Sequence, residues 1–282
     1  MNGVLVVDKP KGITSFDVVR EVRRALNVKK VGHTGTLDPM ATGVLPICIG
    51  DGTKIAQFIT EATKAYDATV KLGSTTDTLD AEGKVLETRP VPSLTRELLE
   101  RAFEQFRGTI KQVPPMYSAI KIGGKRLYEL ARAGEEIERQ PREVTVFELT
   151  LRDFSADEFK LSVRCSKGFF VRTLAADLGE ALGCGAHLSA LRRTQSGPFV
   201  LAQSIPLTEV KPGAQLVGLN DALKDLPQLE VTEAEAQRVR HGGVVEVAPT
   251  LSGVFRVIEP GGGLLAMADA VRGRLVYRRV LL

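Results

Sequence analysis

Apolar and polar positions follow two different rhythms along this chain. "GVLVVDKPKG" holds a continuous apolar run, Val4 to Val7, closed by a Pro/Gly turn, which predicts a buried strand. The next segment, "TSFDVVREVRRAL", predicts a helix. Thr14 and Asp17 have the spacing of a capping box, and Phe16, Val19, Val22 and Leu26 fall on one face. After a loop rich in small residues, "GVLPICIG" is a second short apolar run. "YDATVKLG" alternates strictly, with Tyr66, Ala68, Val70 and Leu72 on one side and Asp67, Thr69 and Lys71 on the other, as in a half-buried strand. "TTDTLDAEG" is a polar turn, and Leu98, Leu99, Ala102, Phe103 and Phe106 return to helical spacing.

Further along, "QVPPMYSAIKIGGKRLYELARAG" predicts a loop, a hairpin around Gly123-Gly124 and a helix ending at Gly134. Strands over 145–154 and 158–165 follow, and "SKGFFVRTLAADLGEALG" turns into a helix. Strands and helices mix without a strict βαβ rhythm, so the expected fold class is α+β with a mixed, mainly antiparallel sheet. A boundary is expected near "KDLPQLEVTEAEAQRVRHGG", where a Pro-containing link precedes a short helix with its own Thr232/Glu235 capping box. The remainder reads as short strands with glycine turns, the pattern of a small β-barrel. The expected division is 1–225 and 229–282.

Composition narrows the class. The 282 residues are 43% hydrophobic and 26% charged, as in ordinary globular proteins. A formal charge of +4 suits a polyanionic partner or a solvated basic surface. The charge is uneven: Lys111, Lys121, Lys125, Arg126 and Arg132 cluster mid-chain, and Arg272, Arg274, Arg278 and Arg279 crowd the C-terminal segment. Cys48, Cys165 and Cys184 lack CxxC spacing, which points away from a disulfide framework or zinc site and toward a reducing cytosol. With no signal-like opening and no apolar stretch of membrane-spanning length, a cytoplasmic protein that avoids membranes is expected.

Candidate chemistry centres on "GHTGTLDPMATG", Gly32 to Gly43, a loop with one acid, Asp38, and one imidazole, His33. Glycines allow backbone conformations that side chains forbid, so this is a shaped loop, either a structural turn or a reaction site. Tyr66 on its alternating strand has the position of a core residue with its hydroxyl at the edge. Arg172, which opens a helix, has the position of a surface residue. A cation gains nothing from a helix N-terminus, however, and this placement calls for an anionic partner. His33, His187 and His241 share no ligand spacing, and neither a Walker loop nor GxGxxG nor a GxSxG elbow is present. The expectation is chemistry without metal or cofactor.

Six segments carry a family resemblance: "GVLVVDKPKGITSFDVV", "GHTGTLDPMATGVLPICIG", "KAYDATVKLGSTTDTLDAEG", "PPMYSAIKIGGKRLYELAR", "CSKGFFVRTLAADLG" and "GAHLSALRRT". In this order they resemble the TruB-type tRNA pseudouridine synthases over roughly the first 200 residues, and the last 50 or so resemble that family's PUA domain. The resemblance implies that Asp38 is the catalytic aspartate, Tyr66 the tyrosine that stacks on the target base, and Arg172 the arginine paired with the aspartate. It further implies that His33 fills the space of the displaced nucleotide, that Asp80 and Leu191 line the uracil pocket, and that Lys9 belongs to the first family motif. Phe170 stands where the family usually has tyrosine, and Ala65 where arginine is frequent.

The implied reaction isomerises uridine at position 55 in the T-loop of tRNA, with no obligate protein partner. Flipping a base out of a folded arm costs a few kcal/mol, and stacking on a tyrosine recovers ~1–3 kcal/mol of it. A fixed carboxylate suits the positive charge that develops on a sugar during glycosidic cleavage, and Leu37, Pro39 and Met40 suit a site that excludes water. Two other readings are a guide-RNA-dependent relative and a non-catalytic RNA-binding or RNA-folding protein. The second has no use for Asp38, Tyr66 and Arg172 together.

Overall fold

Continuous apolar runs need cover on both faces, and the first strand shows how this chain supplies it. The structure, a computed structural model, describes residues 1–281. Strand β1 (Gly3–Lys9) leads into helix α1 (Ser15–Leu26), then β2 (Val31–His33), β3 (Thr42–Ile49) and α2 (Gly52–Thr60). Strands β4 (Lys64–Leu72), β5 (Ser74–Thr76) and β6 (Val85–Thr88) precede α3 (Arg96–Glu104) and β7 (Gly108–Gln112). A small hairpin, β8 (Lys121–Ile122) and β9 (Lys125–Arg126), joins α4 (Leu127–Arg132). The long strands β10 (Arg142–Phe154) and β11 (Glu158–Cys165) follow, then α5 (Val171–Ala181), β12 (Ala186–Ser196), β13 (Phe199–Val200) and β14 (Ile205–Pro206).

Ten of these strands build one sheet ordered β14-β1-β3-β12-β4-β11-β10-β7, with β13 beside β12 and β2 beside β3, while β5 pairs with β6 and β8 with β9 in two separate hairpins. The β1–β14 and β12–β3 pairs are parallel and the other pairs antiparallel, so the sheet is mixed and mainly antiparallel. Leu5, Val7, Leu45, Ile47 and Ile49 join one core with residues of α1, α3 and α5. Val4, Val6, Val44 and Cys48 join a second with Ile55, Phe58 and Ile59 of α2.

Helix α1 has the expected capping box: Thr14 Oγ1 accepts from Asp17 N at 3.1 Å, and Asp17 Oδ2 accepts from Thr14 N at 2.9 Å. Its buried stripe is Ser15, Val18, Val19, Val22 and Leu26. Phe16, expected on that face, is instead 62% exposed. It sits about 100° round the helix from Ser15 at the stripe's centre, outside the covered arc.

The last segment forms β15 (Gln228–Glu230), α6 (Glu233–Arg240), β16 (Gly253–Ile258), β17 (Leu264–Val271) and β18 (Arg274–Val280). Its strands make a four-stranded sheet, β15-β16-β17-β18, consistent with a PUA-like fold. Thr232 caps α6 through the expected box with Glu235. This unit has its own core around Val239, Val257 and Ala266. Buried Met267 nevertheless belongs to the same cluster as Val4 and Phe58, so the two sheets share apolar surface. Arg256 adds a polar latch, donating from Nε to Leu226 O at 2.9 Å and from Nη1 to Asn220 Oδ1 at 2.5 Å.

Candidate active site

The loop between β2 and β3 holds its shape through fastenings on three sides. Ser15 Oγ donates to Leu37 O at 3.2 Å and accepts from Leu37 N at 2.8 Å, tying the loop to α1. Lys9, fully buried at the end of β1, donates from Nζ to Pro39 O at 3.3 Å and Ala41 O at 2.7 Å. From β12, Arg193 donates to Gly35 O at 3.2 Å and Val44 O at 2.7 Å. Glycine is required at position 43: φ is +103°, and an added Cβ would meet Arg193 O at 2.2 Å. Leu37 and Met40 are each 3% exposed, so the loop is anchored by apolar side chains while Asp38 faces outward.

Asp38 opens into a cavity of about 590 Å³, whose wall includes Tyr66, Phe170, Arg172, Leu191 and Arg193. A third of its side chain, 33%, remains accessible through that cavity. Arg172, at the start of α5, lies with Nε 2.9 Å from Asp38 Oδ2. The Nε–H is not aimed at the oxygen, so the contact is a close ion pair rather than a directed hydrogen bond. The other guanidinium nitrogens are held elsewhere: Nη1 donates to Thr78 O at 3.0 Å and Nη2 to Tyr117 O at 2.7 Å. Arg172 therefore does not fork onto Asp38. It bridges three segments of chain.

The loop has one acid, but the folded site has two. Asp80, 3% exposed, places Oδ2 3.6 Å from Arg172 Nη1. Its Oδ1 accepts from Thr78 Oγ1 at 2.6 Å and Glu82 N at 3.1 Å. Loss of solvation pushes the Asp38 carboxyl above its ordinary range, the Arg172 charge opposes that rise, Asp80 adds to it, and Lys9 opposes it again. Desolvation prevails over the cation. The Lys9 ammonium is itself brought down to about 8, chiefly by burial, with Asp38 pulling the other way.

Tyr66 is half-buried on β4, with its ring in the cavity wall and its hydroxyl end enclosed beside Arg193. Burial pushes its phenol up, and Arg193 resists that rise. Phe170 is the residue before α5, and the Gln112 amide satisfies both its N–H, at 3.0 Å, and its carbonyl, at 3.2 Å. His33 is half-buried at the end of β2, where Nδ1 accepts from Gly35 N at 3.3 Å. Burial lowers the pKa of this imidazole. Of the residues singled out in the sequence, Asp38, Tyr66, Phe170, Arg172 and Leu191 share the cavity wall. Asp80 and Lys9 stand behind it as charged neighbours of Asp38, and His33 lies outside the wall, on the approach to the loop.

Sequence reasoning missed Arg193. Its signal was present, since Leu191 and Arg193 are two apart on β12 and share one face. Among the described residues, no group of three or more His, Cys, Asp and Glu side chains is placed to hold a metal ion.

Residues 23–171 match the TruB family pseudouridylate synthase N-terminal domain. That is more than half of the chain. The chain belongs to the TruB family of pseudouridine synthases. Residues 172–225 match the tRNA pseudouridylate synthase B C-terminal domain. Full-length similarity agrees: a tRNA pseudouridine synthase B of Stutzerimonas stutzeri is 46% identical, covering 100% of this chain and 96% of its own. The protein of the same name from Azoarcus sp. is 47% identical over 100% and 95%. Among solved structures, the fold is similar to that in a Cbf5–Nop10–Gar1 complex, with a TM-score of 0.79 at 24% identity, covering 99% of this chain and 85% of the other.

Proposed function

We propose that this enzyme isomerises uridine to pseudouridine at position 55 in the T-loop of tRNA, as a stand-alone catalyst without metal or organic cofactor. The observation that carries the reading is Asp38, open to the cavity and held 2.9 Å from Arg172. The full-length relatives named tRNA pseudouridine synthase B support the substrate class. In this reading residues 1–225 are the catalytic unit and residues 229–282 the RNA-binding unit.

The flipped uracil stacks on Tyr66, with Leu191 and Phe170 on the wall of its slot. The bond from ribose C1′ to uracil N1 breaks, the base turns, and C1′ bonds to C5. The C5 proton leaves and N1 gains one, so atoms balance without hydrolysis. An ionised Asp38 serves attack on the sugar, attack on the base, and proton removal toward a glycal alike, and Arg172 favours that ionised form. The buried Leu37 and Met40 beside it help keep water from the separated base and ribose.

The test is incubation of pure protein with an unmodified tRNA transcript in EDTA-treated buffer, followed by carbodiimide-dependent mapping of reverse-transcription stops. A single new stop at position 55 is expected. No stop, or turnover restored only by zinc, would contradict the reading; magnesium acts separately through tRNA folding.

A further inference from the structure

Two adjacent arginines on β12 meet opposite fates. Arg192 points outward and pairs with Asp8 at 2.7 Å. Arg193 is 1% exposed, and among the described residues it has no carboxylate within ion-pair distance. A buried cation without an acid is costly to solvate, and an apolar side chain would fill the same space without that cost. Its nitrogens show what the charge is used for.

Nε donates to Val44 O and Nη2 to Gly35 O, the two residues that flank the segment carrying Asp38. The backbone of Arg193 is in register with Gly43 on one side and Tyr66 on the other. Both residues line the same cavity, and the Arg193 charge resists the upward push of burial on the Tyr66 phenol. One side chain thus holds both ends of the Asp38 loop, on a strand paired directly with Tyr66.

We infer that Arg193 is a positioning residue for the isomerisation: by clasping both ends of the Asp38 loop from the strand position paired with Tyr66, it sets the carboxylate against the stacked base. Its planar fork reaches several acceptors in fixed directions, whereas a lysine ammonium has one nitrogen to place. The clasp acts after RNA is bound, because it holds reacting groups and offers no exposed charge to phosphate. The inference rests on reading Asp38 as the reacting group.

The test uses the full chain carrying Arg193→Lys and, separately, Arg193→Gln, with Asp38→Asn in parallel. Three quantities are measured on unmodified tRNA: thermal midpoint, dissociation constant and single-turnover rate. Displacing a reacting group by about 1 Å costs on the order of 100-fold in rate, which is the loss expected for Arg193→Lys, with binding little changed. The glutamine variant keeps one amide donor and shows the same split, so a folding defect in either variant leaves the other to decide. A near-normal rate in a folded variant would overturn the inference, as would rate and binding falling together. Full turnover by Asp38→Asn would instead overturn the reading of the site.

Discussion

At Asp38 the decisive balance is between loss of solvent, which favours the protonated acid, and the Arg172 charge, which favours the carboxylate. Because desolvation prevails, the acid limb of the rate profile belongs above the ordinary carboxylate range: turnover falls as pH drops through this raised pKa, since each mechanistic route uses the ionised form. Asp80 adds to the rise. Asp80→Asn is therefore expected to move the acid limb to lower pH, while its plateau rate falls because Arg172 loses a carboxylate at 3.6 Å. Single-turnover rates across pH check both effects, and a limb that moves upward would contradict the assigned sign. The approach of Asp38 to Arg172 was legible from the motifs that hold them. Asp80's place in the charge network was not, because it sits in a polar turn brought close by a bridge to Leu188 on β12, a contact without local sequence signal.

The β2–β3 loop is a frame whose closing glycine lets another backbone pass. At Gly43 any side chain would collide with the Arg193 backbone and require an unfavourable φ. Gly43→Ala is expected to destabilise the fold by more than about 1 kcal/mol and to slow turnover by on the order of 100-fold through displacement of Asp38. Chemical denaturation and single-turnover kinetics measure the two effects. A variant with unchanged rate would show that the loop tolerates movement. Strand alternation made β4 readable, because Ala68, Val70 and Leu72 do bury one face. Helical spacing misplaced Phe16, which lies about 100° round α1 from the centre of the buried stripe. Strand alternation passed over Arg193, because an inward arginine reads as surface charge until its acceptors from distant segments are in place.

Across the whole molecule, the second sheet packs against the first and, in the proposed reading, also binds RNA. Met267 shares a core with Val4 and Phe58, so removing residues 229–282 would bare apolar surface as well as delete charge. Point variants separate these roles. Arg278 is engaged by Asp269 at 2.5 Å, whereas Arg274 and Arg279 are exposed. Replacing Arg274 and Arg279 with Gln is expected to weaken tRNA binding and to flatten its salt dependence by about 1 in log–log slope per lost phosphate contact. The saturated single-turnover rate should stay the same, and equal slopes for variant and parent would remove RNA binding from this face. In the proposed division of labour, the chemistry falls to Asp38 and Arg172. The most direct measurement is the single-turnover rate of pseudouridine formation at saturating enzyme for the parent, Asp38→Asn and Arg172→Lys, with tRNA affinity measured on the same samples. The expected result is no detectable product from Asp38→Asn and at least about a 100-fold loss from Arg172→Lys, with affinities close to the parent; product from Asp38→Asn, or a near-normal rate from Arg172→Lys, would contradict the account.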